Sequence, residues 1–369
     1  MFGALSFCMQ NFLYAFSIEE ILLPPTIMFS EVEGKLYKGL WLRNIMVYIY
    51  KKLIGRKPYY YLRISERKGK RVITKDLAYL GSSISDVKKA LGKLDKYKSQ
   101  IRKAHYKIIR FLESNYYYEK ASELKLKRDK FLEGKEAPIE ACKIHFNKVF
   151  RKLDELTKKE IFKNFLIEFA YNTTTIEGNT IDLEQAKNLL EKGRTPENKT
   201  LREIYDLQNH EEIFFELLGS KEDINHDLII KIHKGLMKNI DKRIGYRSKD
   251  IRVIKRHFES SPGKFVNIDM KLLLKWYNEN KKLHPLVLAT IFHHKFEKIH
   301  PFSDGNGRTG RMLLNYILMI NGYPLLIVHN KTRTEYLEVL GDSDKSGLNT
   351  AEKEEYSSLV NYIADEMIN

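Results

Sequence analysis

Residues 299–311 read IHPFSDGNGRTGR, a run in which two glycines flank an asparagine directly after a carboxylate. Gly305 and Gly307 leave room for backbone N–H groups to converge on an anion, with Asn306 between them. Apolar periodicity predicts a helix over 309–321, and the positive end of that helix adds to the attraction. This stretch therefore predicts a cradle for phosphate.

The charged side chains of the same run supply the other parts of a reaction site. Arg308 and Arg311 are three residues apart, so they emerge at neighbouring positions of one helical face. Asp304 is the kind of hard oxygen ligand that Mg²⁺ accepts when it also holds phosphates. His300 can take up a proton near neutral pH. Together they predict a site that binds a metal-bound polyphosphate and activates a hydroxyl nucleophile.

The chain around this run is predicted to be almost entirely helical over residues 160–369. Apolar residues recur at helical steps in six further windows: Ile161–Ala170, Leu183–Leu190, Ile204–Leu218, Ile224–Met237, Met270–Trp276 and Pro285–Phe296. Between Arg247 and Val266 lies a non-helical stretch with one strand-like segment, DIRVI. An isolated extended segment of this kind has an edge with which another chain can pair.

Charge is distributed unevenly along the chain and indicates its division into domains. The formal net charge is +16; residues 51–165 alone carry +18, and the segments on either side carry −1 each. Domain character therefore changes near residue 165. The prediction is an N-terminal extension (residues 1–50), a basic module with a β-hairpin and long helices (51–160), a catalytic core (161–345) and a C-terminal helix (346–369).

The basic module has local patterns of both strand and helix. Tyr59–Ile73 contains an aromatic and β-branched run, then SERKGKR and VIT, which predicts a strand pair with Gly69 at the turn. From Ser85 onward apolar residues recur at helical steps among lysines, and a second such stretch spans Ile144–Leu156. These stretches predict two long basic helices that form an arm. The apolar segment Leu36–Leu53, with basic edges, is predicted to be a docked amphipathic helix.

A charge block of a single sign usually means attraction to an acidic partner such as nucleic acid, ribosome or an acidic protein. A solvated helical surface without a partner explains the block equally well. The sequence contains no zinc knuckle, no RNP aromatic motif and no clear recognition-helix pair. The acidic partner or nucleic acid for residues 51–165 therefore stays an open alternative.

Several other functions are excluded by residue types and spacing. Cys8 and Cys142 lie far apart and form no ligand set, which predicts reduced thiols in a reducing compartment. The segment DSDKSGLNTAEK at 342–353 begins like a calcium loop but has Lys353 where a bidentate glutamate is needed. No secretory signal or membrane span is convincing, so the chain is predicted to be cytoplasmic with no membrane partner.

The run at 299–311 resembles the signature of the Fic family, His-Pro-Phe-x-Asp-Gly-Asn-Gly-Arg-x-x-Arg, and fills every fixed position of it. LHP at 283–285 resembles the start of the helix before that signature, and NGYP at 321–324 resembles the end of the helix after it. The resemblance covers about residues 160–345. It implies a Fic-type helical core with a short β-hairpin flap. The resemblance does not reach the basic module, so the predicted fold as a whole is mainly α, with a basic helical arm and a small β-hairpin region, read from local patterns, before the core.

The resemblance also implies roles for the residues of the signature. His300 would deprotonate a Ser, Thr or Tyr hydroxyl of a target protein for in-line attack on the α-phosphorus of ATP. Asp304 would hold Mg²⁺ or Mn²⁺ between the α- and β-phosphates. Arg308 would take the β-phosphate side and Arg311 the γ-phosphate. The phosphate oxygens would be cradled by Gly305, Asn306 and Gly307.

Two further elements of the implied site lie outside the signature. Tyr336 stands where the family packs adenine, although a core tyrosine is the alternative reading. The DIRVI segment, with Ile251, Arg252 and Val253, would be the flap that clamps an extended segment of the protein target. Its far side, KRHFESSP, departs from the small glycine turn often seen there, which leaves the tip of the flap undefined.

The segment TTTIEG at 173–178 resembles the family's inhibitory motif, Ser/Thr-x-x-x-Glu-Gly/Asn. The matching positions are Thr173, Glu177 and Gly178. In that class the glutamate reaches the second arginine of the signature, here Arg311, and occupies the place of the γ-phosphate. The resemblance therefore implies an autoinhibited enzyme.

The function implied is that of a protein adenylyltransferase, which moves AMP from ATP to hydroxyl side chains of proteins, including itself. The reverse chemistry, hydrolysis of AMP from a modified protein with Glu177 orienting water, stays open. Other family members move UMP, phosphate or phosphocholine, and the signature does not separate all of these. A nucleic-acid or ribosome-binding regulator acting through residues 51–165 is the alternative from another class, and a homodimer is also left open.

Overall fold

The computed structural model describes residues 45–368 apart from 56, 69–70 and 252–257. The described chain forms two compact units, which divide between Glu123 and Leu124. This division falls earlier than the predicted one at residue 160. The physical reason is that segments after Leu124 pack into the core of the larger unit through Phe131, Leu132, Ile139 and Cys142.

The smaller unit is built on an antiparallel sheet in the order β1–β2–β3, with strands Ile45–Ile54, Lys57–Lys68 and Arg71–Gly81. The helices that follow are α1 (Ile84–Leu91), α2 (Lys98–Lys103) and α3 (His105–Ser122). Successive side chains of a strand point to opposite faces, so one face of the sheet can pack on helices. That face and the helices share one core: Val47, Ile49, Tyr60, Leu62, Leu80, Ile84, Val87, Ile108 and Leu112.

The amphipathic helix predicted for Leu36–Leu53 is wrong in its described part. Residues 45–53 belong to β1, where burial alternates with a period of two and Val47 and Ile49 enter the core. A short apolar run fits a strand or a helix, and here pairing with β2 decides for the strand. Residues 36–44 lie outside the described residues.

The predicted strand pair over Tyr59–Ile73 is confirmed, because β2 and β3 pair antiparallel with Arg67 opposite Val72. The predicted turn residue, Gly69, lies outside the described residues. The prediction of two long basic helices needs correction. The first is divided into α1, α2 and α3, and its apolar residues pack on the sheet, so it is no free arm.

The larger unit is helical, and each window predicted from apolar periodicity coincides with one of its helices, although Ile224–Met237 extends beyond both ends of its helix and 309–321 extends one residue beyond the end of its helix. Their bounds are α4 (Glu136–Lys148), α5 (Glu155–Ile176), α6 (Leu183–Lys192), α7 (Leu201–Leu218), α8 (His226–Leu236), α9 (Val266–Glu279), α10 (Pro285–Ile299), α11 (Asn306–Ile320), α12 (Arg333–Asp342) and α13 (Lys353–Ile368). Almost every residue of α10 and α11 is buried, so these two helices form the centre of the unit. In the described part of the chain, no helix has the length and apolar character needed to cross a membrane.

The segment that begins like a calcium loop accepts hydrogen bonds from two lysines of α10. Lys295 donates to the carbonyl oxygens of Gly347 at 2.7 Å and Thr350 at 2.6 Å. Lys298 donates to the carbonyl oxygens of Asp344 and Ser346 at 2.7 and 2.5 Å. The two lysine ammonium groups therefore supply hydrogen-bond donors to four backbone carbonyls of this segment.

Candidate active site

The signature forms the short loop between α10 and α11, and both ends of the loop have left-handed backbone. His300 ends α10 with φ 53°, and its N–H donates to the carbonyl of Phe296 at 3.0 Å. Gly305 begins α11 with φ 77°, and a Cβ there would lie 2.6 Å from the Met237 sulfur. A non-glycine residue with positive φ is uncommon, so the fold holds His300 in a defined place at some cost.

Asn306 holds the loop in shape with its side chain. Its Oδ1 accepts from the Phe302 N–H at 2.8 Å, and its Nδ2 donates to the Phe302 carbonyl at 2.9 Å. Both ends of the amide are thus used within the loop. The Asn306 backbone N–H lies in the first turn of α11, where helical N–H groups have no partner within the helix. This backbone group, not the side chain, is therefore suited to bind a phosphate.

Arg247 clamps the same loop from outside, and the sequence analysis did not identify it. Its Nε donates to the His300 carbonyl at 2.8 Å and its Nη2 to the Ile299 carbonyl at 3.2 Å. Its backbone N–H donates to the Pro301 carbonyl at 2.9 Å. The side chain is buried. Arg247 therefore fixes the backbone on both sides of the imidazole.

The imidazole of His300 lines an open cavity of about 600 Å³. Its Nδ1 lies 3.2 Å from the Glu297 carbonyl. A carbonyl oxygen can only accept, so in the neutral ring the proton belongs on Nδ1 and Nε2 keeps its lone pair. This tautomer gives His300 the acceptor that a general base requires.

Asp304 lies at the same cavity and is bound by two arginines. It forms an ion pair with Arg202, and Arg308 Nη2 lies 3.2 Å from its Oδ1. Burial acts to raise the pKa of Asp304, but Arg308 and the hydrogen bond from Arg202 outweigh it and hold the pKa below its ordinary value. Asp304 is therefore an ionised carboxylate at the cavity wall.

Arg308 is buried between two carboxylates. One is Asp304, and the other is Asp206 of α7, with which Arg308 forms an ion pair. Burial raises the pKa of Asp206, and the attraction of Arg308 opposes that shift. Since the side chains of Arg308 and Asp206 are both almost fully buried, the Asp206 carboxylate fixes the position of the Arg308 guanidinium.

Arg311 is reached by the predicted inhibitory segment at the end of α5. Its Nη2 lies 3.0 Å from Glu177 Oε1, and its Nε donates to Thr173 Oγ1 at 2.7 Å. Nη2 also donates to the Thr173 carbonyl at 2.9 Å. Burial acts to lower the pKa of Arg311, but Glu177 outweighs it and raises the pKa. Gly178 follows with φ 104° and lines the cavity beside Glu177.

Apolar and aromatic side chains of α12 also line the cavity. They are Tyr336, Leu337 and Leu340, and Ile176 at the end of α5 lines the cavity as well. The Tyr336 side chain is almost fully buried, and its hydroxyl lies 2.6 Å from His293 Nε2. The ring is therefore anchored from behind, and the packing of adenine on it stays a prediction.

The model of the Fic/DOC family matches residues 223–318, which include the whole signature. The chain contains a Fic/DOC domain. It is 35% identical over 175 residues to a protein adenylyltransferase fic-1 from Caenorhabditis elegans, covering 46% of this chain and 34% of that protein. It is 31% identical over 210 residues to a protein adenylyltransferase Fic from Culex quinquefasciatus, covering 53% and 42%.

Solved structures agree with this assignment. A Fic domain containing signaling protein from Bacteroides thetaiotaomicron superposes with a TM-score of 0.57 at 27% identity, covering 63% of this chain and 94% of that one. A structure of Fic-1 from Caenorhabditis elegans superposes with a TM-score of 0.52 at 24% identity, covering 78% and 86%, which shows the fold. The chain spans only about a third to two fifths of the length of the curated relatives named above.

The carboxylate of the Fic domain fits a divalent metal carried by a nucleotide. Among the described residues no group of three or more acidic, histidine or cysteine side chains could hold an ion by itself. Mg²⁺ commonly binds through one or two carboxylates together with substrate phosphates, and Asp304 supplies one such carboxylate. The donor set therefore suits Mg²⁺ or Mn²⁺ that arrives with a triphosphate.

The predicted flap of the Fic domain is only partly described. Ile251 lines the cavity on the side of His300. Arg252 and Val253 lie outside the described residues, so the extended conformation of this segment stays a prediction. Arg247 reaches the base of the flap, where its guanidinium donates to the carbonyls of Lys249 at 2.8 Å and Ser261 at 2.5 Å.

Proposed function

We propose that this Fic domain transfers AMP from ATP to a Ser, Thr or Tyr hydroxyl of a protein, and that Glu177 holds it in an inhibited state. The observation that carries the proposal is that His300, Asp304 and Arg311 line one cavity of nucleotide size. The names of the curated relatives, protein adenylyltransferases, support the same activity.

The reaction follows from the positions of the side chains. The target hydroxyl gives its proton to Nε2 of His300 as its oxygen attacks the α-phosphorus, and the bond from the α-phosphorus to the bridging oxygen breaks. Pyrophosphate leaves with the electron pair, and AMP stays on the target oxygen. Asp304 would hold Mg²⁺ or Mn²⁺, which when bound neutralises charge on the α- and β-phosphates.

The remaining residues bind and orient the nucleotide. Backbone N–H groups at the start of α11 face the phosphates, and Arg308, fixed by Asp206, supports the β-phosphate side. Arg311 takes the γ-phosphate, and Tyr336 packs on the adenine. The flap at Ile251–Val253 pairs with an extended segment of the target, which brings its hydroxyl to His300.

Inhibition rests on competition for one guanidinium. Glu177 and the γ-phosphate are both anionic, and both require Arg311, so each excludes the other. Glu177 belongs to the fold and is always near Arg311, so it competes at high effective concentration. The buried Cys142 thiol suits a reducing compartment, and we therefore place the reaction in the cytoplasm.

The reverse reaction is the second candidate, because the partly exposed Glu177 carboxylate lines the same cavity as His300. From that position it can orient a water molecule toward a phosphorus atom. In this reaction the protein would remove AMP from a modified target, and Glu177 would act both as lock and as positioning group for water.

The test uses the full chain carrying Glu177→Gly, incubated in cell extract with ATP labelled at the α- or at the γ-phosphorus. Kinases of the extract also label protein from γ-labelled ATP, so the signal is the label that disappears when His300→Ala is added to the variant. AMP transfer produces such label from the α-labelled ATP only. Label of this kind from the γ-position would mean phosphate transfer, and preferential labelling from UTP or GTP would replace AMP as the transferred group. The reverse reaction predicts release of AMP by the wild type from protein that the Glu177→Gly variant has labelled.

A further inference from the structure

The outer face of the three-stranded sheet carries five tyrosines. Along β1 and β2 buried residues alternate with half-exposed ones, and the buried set packs against the helices. Tyr60 belongs to the buried set, since its hydroxyl donates to Glu119 of α3 at 2.9 Å. The opposite set is here called the tyrosine face: Tyr48, Tyr50, Tyr59, Tyr61 and Tyr79.

The rings of this face form a row across all three strands. Tyr50 lies opposite Tyr61 in the pairing of β1 with β2, and Tyr61 lies opposite Tyr79 in the pairing of β2 with β3. The ring centroids of Tyr61 and Tyr79 are 5.4 Å apart, and those of Tyr59 and Tyr79 are 6.4 Å apart. Tyr79 keeps 54% of its surface exposed. The row offers flat aromatic surface to solvent.

Positive charge lies among these rings. The guanidinium of Arg63 lies 3.5 Å from the centroid of the Tyr50 ring, and it also pairs with Asp76. Lys52, opposite Tyr59 in register, and Arg67 are exposed on the same two strands. Residues 45–123 as a whole contain 20 Lys and Arg against 7 Asp and Glu. A polyanion is therefore attracted to this unit at long range.

We propose that the tyrosine face binds single-stranded nucleic acid. Unpaired bases stack on the tyrosine rings, and the phosphates between them lie near Lys52 and Arg67. Aromatic rings interleaved with cations on an open sheet are the combination that single strands require, because every base has a π-face and every nucleotide a charge.

Other polyanions use only part of this surface. An acidic protein would engage the lysines and arginines but would have no need for a row of partly exposed rings. Duplex DNA would meet the charges with its backbone, but its bases are already stacked on one another and cannot reach the tyrosines. The rings therefore favour the single strand over both.

The test is fluorescence anisotropy of a labelled mixed-sequence 20-nucleotide RNA, and of the DNA of the same sequence, with the full chain and without ATP. We expect binding that weakens steeply with salt. Tyr79→Ala should weaken it about 5- to 150-fold, because stacking is worth about 1–3 kcal/mol per base. Tyr79→Phe, which keeps the ring, should bind like wild type.

The matched control is Tyr106→Ala on α3, which removes a tyrosine that is 60% exposed but outside the tyrosine face. It should leave binding unchanged, with far-UV circular dichroism showing that each variant is folded. The same DNA annealed to its complement is the duplex probe, and polyglutamate is the acidic competitor. Equal loss in both alanine variants, tighter binding of that duplex, full competition by polyglutamate or no binding at all would overturn the proposal. Since no nucleotide transfer is measured, these results are independent of the proposed activity.

Discussion

Glu177 Oε1 lies 3.0 Å from Arg311 Nη2 across the first turn of α11, and Gly307 is what allows this approach. A Cβ on Gly307 would lie 2.3 Å from Glu177 Oε1 and 3.0 Å from Arg311 Nη1. The inhibitory segment and the signature are more than a hundred residues apart in the chain, and they meet at this one small residue.

The first prediction follows from this contact and needs no substrate. Gly307→Ala should displace the end of the Glu177 side chain from Arg311 and lower the free energy of unfolding by up to about 2 kcal/mol, the part of the usual overpacking cost that remains after the gain of about 1 kcal/mol from alanine in a helix. Most of the loss should disappear when Glu177→Gly is already present, because the clashing carboxylate is gone. Thermal or urea unfolding of the two single variants and the double variant measures the coupling. Additive losses would mean that Gly307 does not make room for Glu177.

The second prediction concerns the base. His300→Ala in the Glu177→Gly background should abolish AMP transfer, while the affinity for ATP changes only a few-fold. The imidazole acts on the nucleophile and touches the nucleotide little. Kinetics of label transfer beside calorimetric titration with ATP separate the two effects. A loss of ATP affinity as large as the loss of turnover would contradict the role given to His300.

The third prediction concerns Arg202, which pairs with the carboxylate proposed to bind the metal. In the Glu177→Gly background, Arg202→Ala should lower the Mg²⁺ concentration for half-maximal transfer by about two- to five-fold, as expected for a partly exposed pair of at most about 1 kcal/mol. Arg194→Ala, an exposed arginine just after α6, is the control. If both variants show the same Mg²⁺ dependence, Arg202 does not compete for Asp304. Asp304→Ala should abolish transfer at every Mg²⁺ concentration.

The fourth prediction concerns stability in acid. Burial lowers the pKa of His233 from 6.5 to about 4, and its ring stacks on Phe302 with centroids 3.6 Å apart. Between these two pH values the unfolded chain binds the proton that folded His233 refuses. The stability that neutral His233 contributes is therefore fully present above pH 6.5 and is lost as pH falls toward 4. His233→Gln, which keeps a donor for the Asp304 carbonyl, should reduce the slope of unfolding free energy against pH in this window. An unchanged slope would assign the acid sensitivity to other groups.

The contacts within the signature could be predicted from the sequence because they are local. The order of His300, Asp304 and the two glycines already places a base, a carboxylate and a helix N-terminus in one loop. The meeting of Glu177 with Arg311 could be predicted only because both motifs resemble parts of one known family. Neither spacing nor periodicity brings two such distant residues together.

The residues that hold the site in place were missed, since their partners are distant in sequence. Asp206 and Arg202 belong to α7, and Arg247 belongs to a loop without a motif. One signal was available for Asp206: it lies with Asn209 and His210 on the buried side of a helix whose other buried residues are apolar. Buried polar residues of this kind need partners, so they point to a network. In the smaller unit, β1 was missed because a short apolar run fits a strand or a helix, and its pairing with β2 cannot be read from periodicity.

AMP transfer by four proteins side by side, with α-labelled ATP as the donor, shows whether Glu177 keeps Arg311 from the nucleotide. These are the wild type, Glu177→Gly, the double variant Glu177→Gly with Arg311→Ala, and the control Glu184→Gly, which removes an exposed carboxylate from the first turn of α6. Releasing Arg311 should raise transfer by about 5- to 150-fold, the usual range of coupling between two sites. The double variant should fall back, because the γ-phosphate then has no partner, and the control should match the wild type. A Glu177→Gly variant no more active than wild type on any target, itself included, would contradict the account.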